Sequence, residues 1–99
     1  MIGAVYAKSQ ERAMDILYSI AKRYEALNMH IIKQHHNSKE SKITFSNNDT
    51  WYAYQHNGSN SCGRRFNIIY IDNSFSDDEK LALRTCATLP PYTGITYFN

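Results

Sequence analysis

Phe66-Asn67-Ile68-Ile69-Tyr70-Ile71-Asp72, entered through Arg64-Arg65 and left through Asn73-Ser74, is the stretch on which the fold turns. Its centre is an almost unbroken apolar run with β-branched members. A half-buried strand alternates apolar and polar residues, whereas a run without alternation suits a central strand buried on both faces. The run then stops at an acid, and the residues after it are turn formers. A sheet with helices packed on it is the architecture that buries such a strand.

Downstream, Ser76-Asp77-Asp78-Glu79 has the form of a capping box, with acids where a helix dipole favours negative charge. The helix is expected to run to about Thr88, burying Leu81, Leu83, Ala87 and Leu89 in part. Pro90-Pro91 stops it, because proline disfavours helix in the residue before it. Gly94-Ile95-Thr96-Tyr97-Phe98 reads as a last strand at a sheet edge.

Upstream, His56 through Gly63 is a loop by composition. Thr50-Trp51-Tyr52-Ala53-Tyr54-Gln55 is aromatic and strand-like, and Lys42-Ile43-Thr44-Phe45-Ser46 alternates with period two. Asn47-Asn48-Asp49 between them makes a β-hairpin, since Asn and Asp tolerate positive φ. Met29 to Lys33 reads as a strand that the polar segment from His35 to Ser41 breaks. Ala13, Ile16, Leu17, Ile20, Tyr24 and Leu27 recur at three- and four-residue spacing and form one stripe of a helix from Gln10 to Leu27, with Ser9 as N-cap and Asn28 ending it. Ile2 to Ala7 is a buried first strand. The whole is a single α/β domain over residues 1–99, a mixed β-sheet with two packed helices in the order β-α-β-β-β-β-α-β.

Ninety-nine residues bury one modest core, with little room for a deep cleft. The net charge of +2 permits nucleic-acid contact without a dense basic stripe to argue for it, and it excludes an acidic mimic of DNA. No stretch is apolar enough to span a bilayer and no secretory leader precedes the first strand, so a cytoplasmic location and no membrane partner are expected. Cys62 and Cys86 are then expected to stay free thiols.

The candidate chemistry is sparse. His30, His35, His36 and His56 have no C-x-x-C or H-x-x-x-H spacing that would pin two ligands on one face, so solvated loop histidines are expected and no metal. Cys62 lies near Arg64 and Arg65, but nothing orients a base beside it, so no catalytic residue is assigned. Eight tyrosines suit either a half-buried sheet or a contact surface. Arg64 and Arg65, with Trp51, Tyr52 and Tyr54, form the candidate partner-binding patch, because arginine and aromatics serve both protein hot spots and base stacking. An ordinary solvated loop is the simpler account of the same arginines.

An apolar strand ending in Asp72 has the form of a Walker B strand, whose acid holds magnesium in P-loop ATPases. With it, the chain resembles the ATPase core of phage terminase large subunits and related helicase-like motors from just after the phosphate loop. The matching segments are the strand Ile2–Ala7 with the helix from Ser9 to Leu27, Ile43-Thr44-Phe45 before the turn Asn47-Asn48-Asp49, and Gly63-Arg64-Arg65 before Phe66–Asp72. Two departures limit what the resemblance implies. These residues contain no G-x-x-x-x-G-K-[ST], so nothing cradles phosphates, and Asn73 stands where a water-orienting Glu would follow. A strand-end turn cap is the simpler role for Asp72.

The expected function is therefore non-catalytic, with no cofactor. It is a small phage- or mobile-element-type protein that binds and inhibits or modulates a larger host or phage protein, such as a defence system in the manner of anti-CRISPR proteins of this size. The alternatives are a nucleic-acid-binding accessory protein and a degenerate ATPase fragment needing a partner chain. Pairing of two copies through Gly94–Phe98 is a further expectation.

Overall fold

The computed structural model describes residues 1–37, 40–56, 64–87 and 94–99. Six strands and two helices follow in the order β1 (Ile2–Ala7), α1 (Gln10–Ala26), β2 (Ile31–His36), β3 (Glu40–Phe45), β4 (Thr50–Gln55), β5 (Ile68–Asp72), α2 (Asp77–Arg84) and β6 (Gly94–Phe98). They build one sheet of strand order β2-β3-β4-β1-β5-β6. The fold class is the mixed α/β architecture expected from the sequence.

The sheet has two characters. β1 pairs in parallel with β4 on one side and β5 on the other, and β5 pairs in parallel with β6. β2, β3 and β4 form an antiparallel meander. β1 carries the centre because its run of small and apolar residues can be buried on both faces. Ala4 and Tyr6 point into one core, with Tyr52, Phe66, Ile69, Ile71 and Leu83. Val5 and Ala7 point into the other, with Ala13, Leu17, Ile20, Ile43, Phe45 and Trp51. The helices therefore lie on opposite faces, α1 over β1, β3 and β4 and α2 over β5.

Local signals place the helix ends. The Ser9 hydroxyl accepts from the Arg12 backbone amide at 3.2 Å, and Asn28 ends α1 with φ of 61°. At α2 the Ser76 hydroxyl accepts from the Glu79 amide while the Glu79 carboxylate accepts from the Ser76 amide, so the capping box closes in both directions. Asn48, at φ of 71°, makes the expected turn between β3 and β4.

Several expectations need correction. The second strand is later and longer than Met29 to Lys33, because His35 and His36 stay in register with Lys42 and Ser41 of β3. Polar residues did not break it. As the outer strand of the sheet it is solvated along its length, so it needs no apolar alternation. The parallel return from β1 and α1 is made to β4, after β2 and β3. Leu81 is exposed at 63%, off the buried face of α2, and Leu27 at 67%, because α1 stops at Ala26 and Leu27 is its C-cap residue rather than part of the buried stripe. Cys86 is fully buried and disulfide-bonded rather than a free thiol. Cys62, Leu89 and Pro90-Pro91 lie outside the described residues.

No helix among the described residues is long and apolar enough to cross a membrane.

Candidate functional site

The carboxyl ends of the four parallel strands share one edge of the sheet. In open α/β sheets ligands bind beyond these ends, where successive connections leave to opposite faces. That condition is met between β1, which runs into α1, and β5, which runs into α2. Lys8, Ser9 and Arg12 lie after β1 in the chain, and Asp72, Asn73 and Ser74 at the end of β5.

Asp72 is 1% exposed at the centre of this edge. Its Oδ2 accepts from Arg12 Nε at 2.8 Å, and its Oδ1 accepts from the Ser74 amide at 3.0 Å. Burial alone would raise this carboxyl, but the hydrogen bonds from the Ser74 amide and hydroxyl, followed by the Arg12 bond and charge, outweigh it and hold Asp72 below the ordinary carboxylate value. The Arg12 guanidinium also lies 5.3 Å from the centre of the Phe98 ring. One arginine from α1 thus ties together the ends of β5 and β6. Asn73 turns away, accepting from Lys80 Nζ at 2.8 Å and donating to Asn99 Oδ1 at 2.9 Å.

A magnesium ion, which the resemblance to P-loop ATPases implies, does not fit these residues. Both Asp72 oxygens are occupied by donors of this chain, and the charge the carboxylate would offer a cation is already matched by Arg12. Among the described residues no three His, Cys, Asp or Glu side chains converge as a metal-ligand group.

His56 stands at the same edge after β4. It was expected to be solvated, but it is 9% exposed, with its ring edge-on to Tyr6 and Phe75 at 5.8 Å. The aromatic packing explains the burial. Among the described residues its Nε2 has no hydrogen-bond partner, and burial lowers its pKa, opposed by the charge of Glu79. The unfolded chain then binds a proton more readily than the folded one. Stability contributed by neutral His56 is complete above the unfolded value of about 6.5 and falls as pH drops below it. Urea midpoints should therefore decrease from about pH 7 to about pH 5, and His56→Phe should flatten that decrease. A midpoint in the wild type that is level over this interval would contradict the assignment.

The five residues of the expected contact patch do not share one exposed surface. Trp51 is 3% exposed on the α1 face and donates from Nε1 to the Tyr24 hydroxyl at 2.9 Å. Tyr52 is 4% exposed on the opposite face, beneath the Arg64 guanidinium at 4.5 Å and Lys42 Nζ at 5.6 Å. Tyr54 is half-buried, stacked between Tyr6 and Tyr52 at 5.3 and 5.7 Å, and burial, then Glu40, pushes its hydroxyl up to about 12. Arg64 and Arg65 are exposed. The aromatics form a core layer because β4 is an inner strand, covered on both faces. What the sequence did not reveal was Arg12 as the partner of Asp72. Sixty positions separate them, and only the adjacency of β1 and β5 brings them together.

No protein-family model matches the chain, and no curated protein matches it by sequence. Its fold is similar to part of the large terminase of a thermophilic bacteriophage, with a TM-score of 0.65 and 13% identity over 99% of this chain and 25% of that one. The same terminase in complex with ATP-gamma-S matches with a TM-score of 0.65 and 13% identity, covering 99% of this chain and 24% of the other. The chain thus spans about a quarter of the terminase chains it resembles. At this identity the likeness is one of fold.

Proposed function

We propose that these residues form a non-catalytic, terminase-like module of phage or mobile-element type that acts by binding a larger protein and modulating it. The observation that carries this reading is the Asp72–Arg12 pair. In a terminase-like fold the acid at the end of the Walker B-like strand is neutralised from within by an arginine, and Asn73 supplies no carboxylate to orient water. Among the described residues no group of carboxylates stands ready to hold a metal at this edge, which supports a binding role over phosphoryl transfer. A host defence protein is one candidate for the larger partner, and another component of a phage motor is a second.

A degenerate ATPase half completed by another chain is the competing reading, favoured by the match to a terminase that holds ATP-gamma-S. Calorimetry distinguishes them. Titration of the chain in complex with its larger partner, with ATP and magnesium as titrant, is expected to give no binding heat. Binding that Asp72→Ala abolishes would overturn the non-catalytic reading in favour of a nucleotide site.

A further inference from the structure

The antiparallel half of the sheet carries a surface that the carboxyl edge does not use. Lys33, Gln34, His35, Lys42 and Thr44 line an open groove of about 250 Å³, and of these Lys33, His35, Lys42 and Thr44 stand on the face of the sheet opposite α1. His35 pairs with Lys42 and Lys33 with Thr44 across β2 and β3, so the basic side chains stand in adjacent rows. Lys42 and Arg64 both lie over Tyr52, which extends the positive surface to β4. In β2 and β3 the one acid is Glu40, set against Lys33, Lys42, His35 and His36.

This groove adjoins the outer side of β2, which among the described residues pairs with β3 alone. An outer strand presents unpaired N–H and C=O groups that template another extended chain. A second copy of this protein is a poor occupant, because it would set Lys33 and His35 against the same basic row. Edge lysines and a bulge, here between Ile31 and Lys33, are the usual devices that prevent such self-pairing. An acidic strand meets the opposite situation. Lys33 and His35 repeat every second residue, about 6.7 Å apart, and alternate acids of an extended partner repeat at the same interval. Ile32, 51% exposed at the bulge, offers an apolar contact at the start of the strand.

We propose that β2 and the Lys33/His35/Lys42 groove dock an extended acidic segment of the partner protein by strand addition. This deepens the binding reading above and rests on it. The base-stacking alternative is less favoured because Tyr52, the ring beneath Lys42 and Arg64, is buried, and the half-buried Tyr54 beside it is already stacked between Tyr6 and Tyr52.

The test uses a short fluorescein-labelled peptide alternating Glu and Val, with a labelled oligo-dT of similar length in parallel. Anisotropy should show peptide binding that weakens with salt and falls about tenfold or more in Lys33→Glu/Lys42→Glu. Both lysines are on the surface, so the variant is expected to fold. Hydrogen exchange should show new protection of β2 amides with the peptide bound. Oligo-dT binding that the variant abolishes, with no peptide binding, would overturn the acidic-strand proposal in favour of nucleic acid. Peptide binding without β2 protection would overturn strand addition. If a partner isolated with the full chain still binds Lys33→Glu/Lys42→Glu with unchanged affinity, this surface is wrong while the binding function stands.

Discussion

Gly3→Ala is expected to lower the unfolding free energy by about 3 kcal/mol, read as a fall in the urea midpoint with the slope unchanged. Gly3 is opposite Trp51 in the parallel pair of β1 and β4, and the indole covers it. A Cβ at position 3 would meet Cζ3, Cε3 and Cδ2 of that ring at 2.5, 2.6 and 2.7 Å. Real Cβ atoms do not approach so closely, so either the ring or the strand must shift. The ring is held on several sides. Its Nε1 donates to the Tyr24 hydroxyl, which donates in turn to Asp49 Oδ2 at 2.8 Å, and Tyr70 packs edge-on at 5.7 Å. The strand is held by β4 and β5 together. Trimming the ring should relieve the clash, so Trp51→Leu in the Gly3→Ala background is expected to cost less than the two separate losses added together. An alanine variant as stable as the wild type would show that the indole does not occupy this place.

Asp72→Ala is expected to cost about 3 kcal/mol of stability, measured by the same titration. The substitution removes the acceptor of both the Arg12 and Ser74 bonds and leaves a guanidinium facing the sheet edge without its counter-charge. Arg12→Ala should cost less, about 1–2 kcal/mol, because the Arg12 side chain is 39% exposed and its partner keeps the Ser74 bond. Because the folded carboxyl lies below its ordinary value, its contribution is complete above about pH 4 and is lost as pH falls through the folded value. The acid-side decline of stability should therefore be shallower in Asp72→Asn than in the wild type. If Asp72→Ala were as stable as the wild type, the pair would be no structural tie and the reason for denying Asp72 a metal would fail.

These two positions show how differently the sequence speaks about different residues. The acid at the end of an apolar strand was visible as a motif, and its strand followed from the unbroken run Ile68–Ile71, but β1 rather than β5 holds the centre, and β5 lies second from one edge with Ile68 and Tyr70 half-buried. The state of the acid was not visible, because the donor that neutralises it is on a helix in the first quarter of the chain. Trp51, Tyr52 and Tyr54 looked like a contact surface because aromatics serve cores and interfaces equally well. Only their strand's place between β3 and β1 assigns Trp51 and Tyr52 to the core. The reverse holds for Lys33, His35 and Lys42, scattered in sequence and gathered by the register of β2 and β3.

Elements that depend on neighbours within a few residues could be read from the chain directly. These are the Ser9 and Ser76 caps, the Asn28 and Asn48 turns, the alternation of β3 and the apolar run of β5, and from them the mixed α/β class. Hydrogen bonds to adjacent backbone and a fixed side-chain period carry that information locally. The strand order, the burial of His56, the need for glycine at position 3 and the pairing of Arg12 with Asp72 emerge only in three dimensions. Each is a contact between residues distant in the chain, set by which strands lie side by side, and no local period records that adjacency.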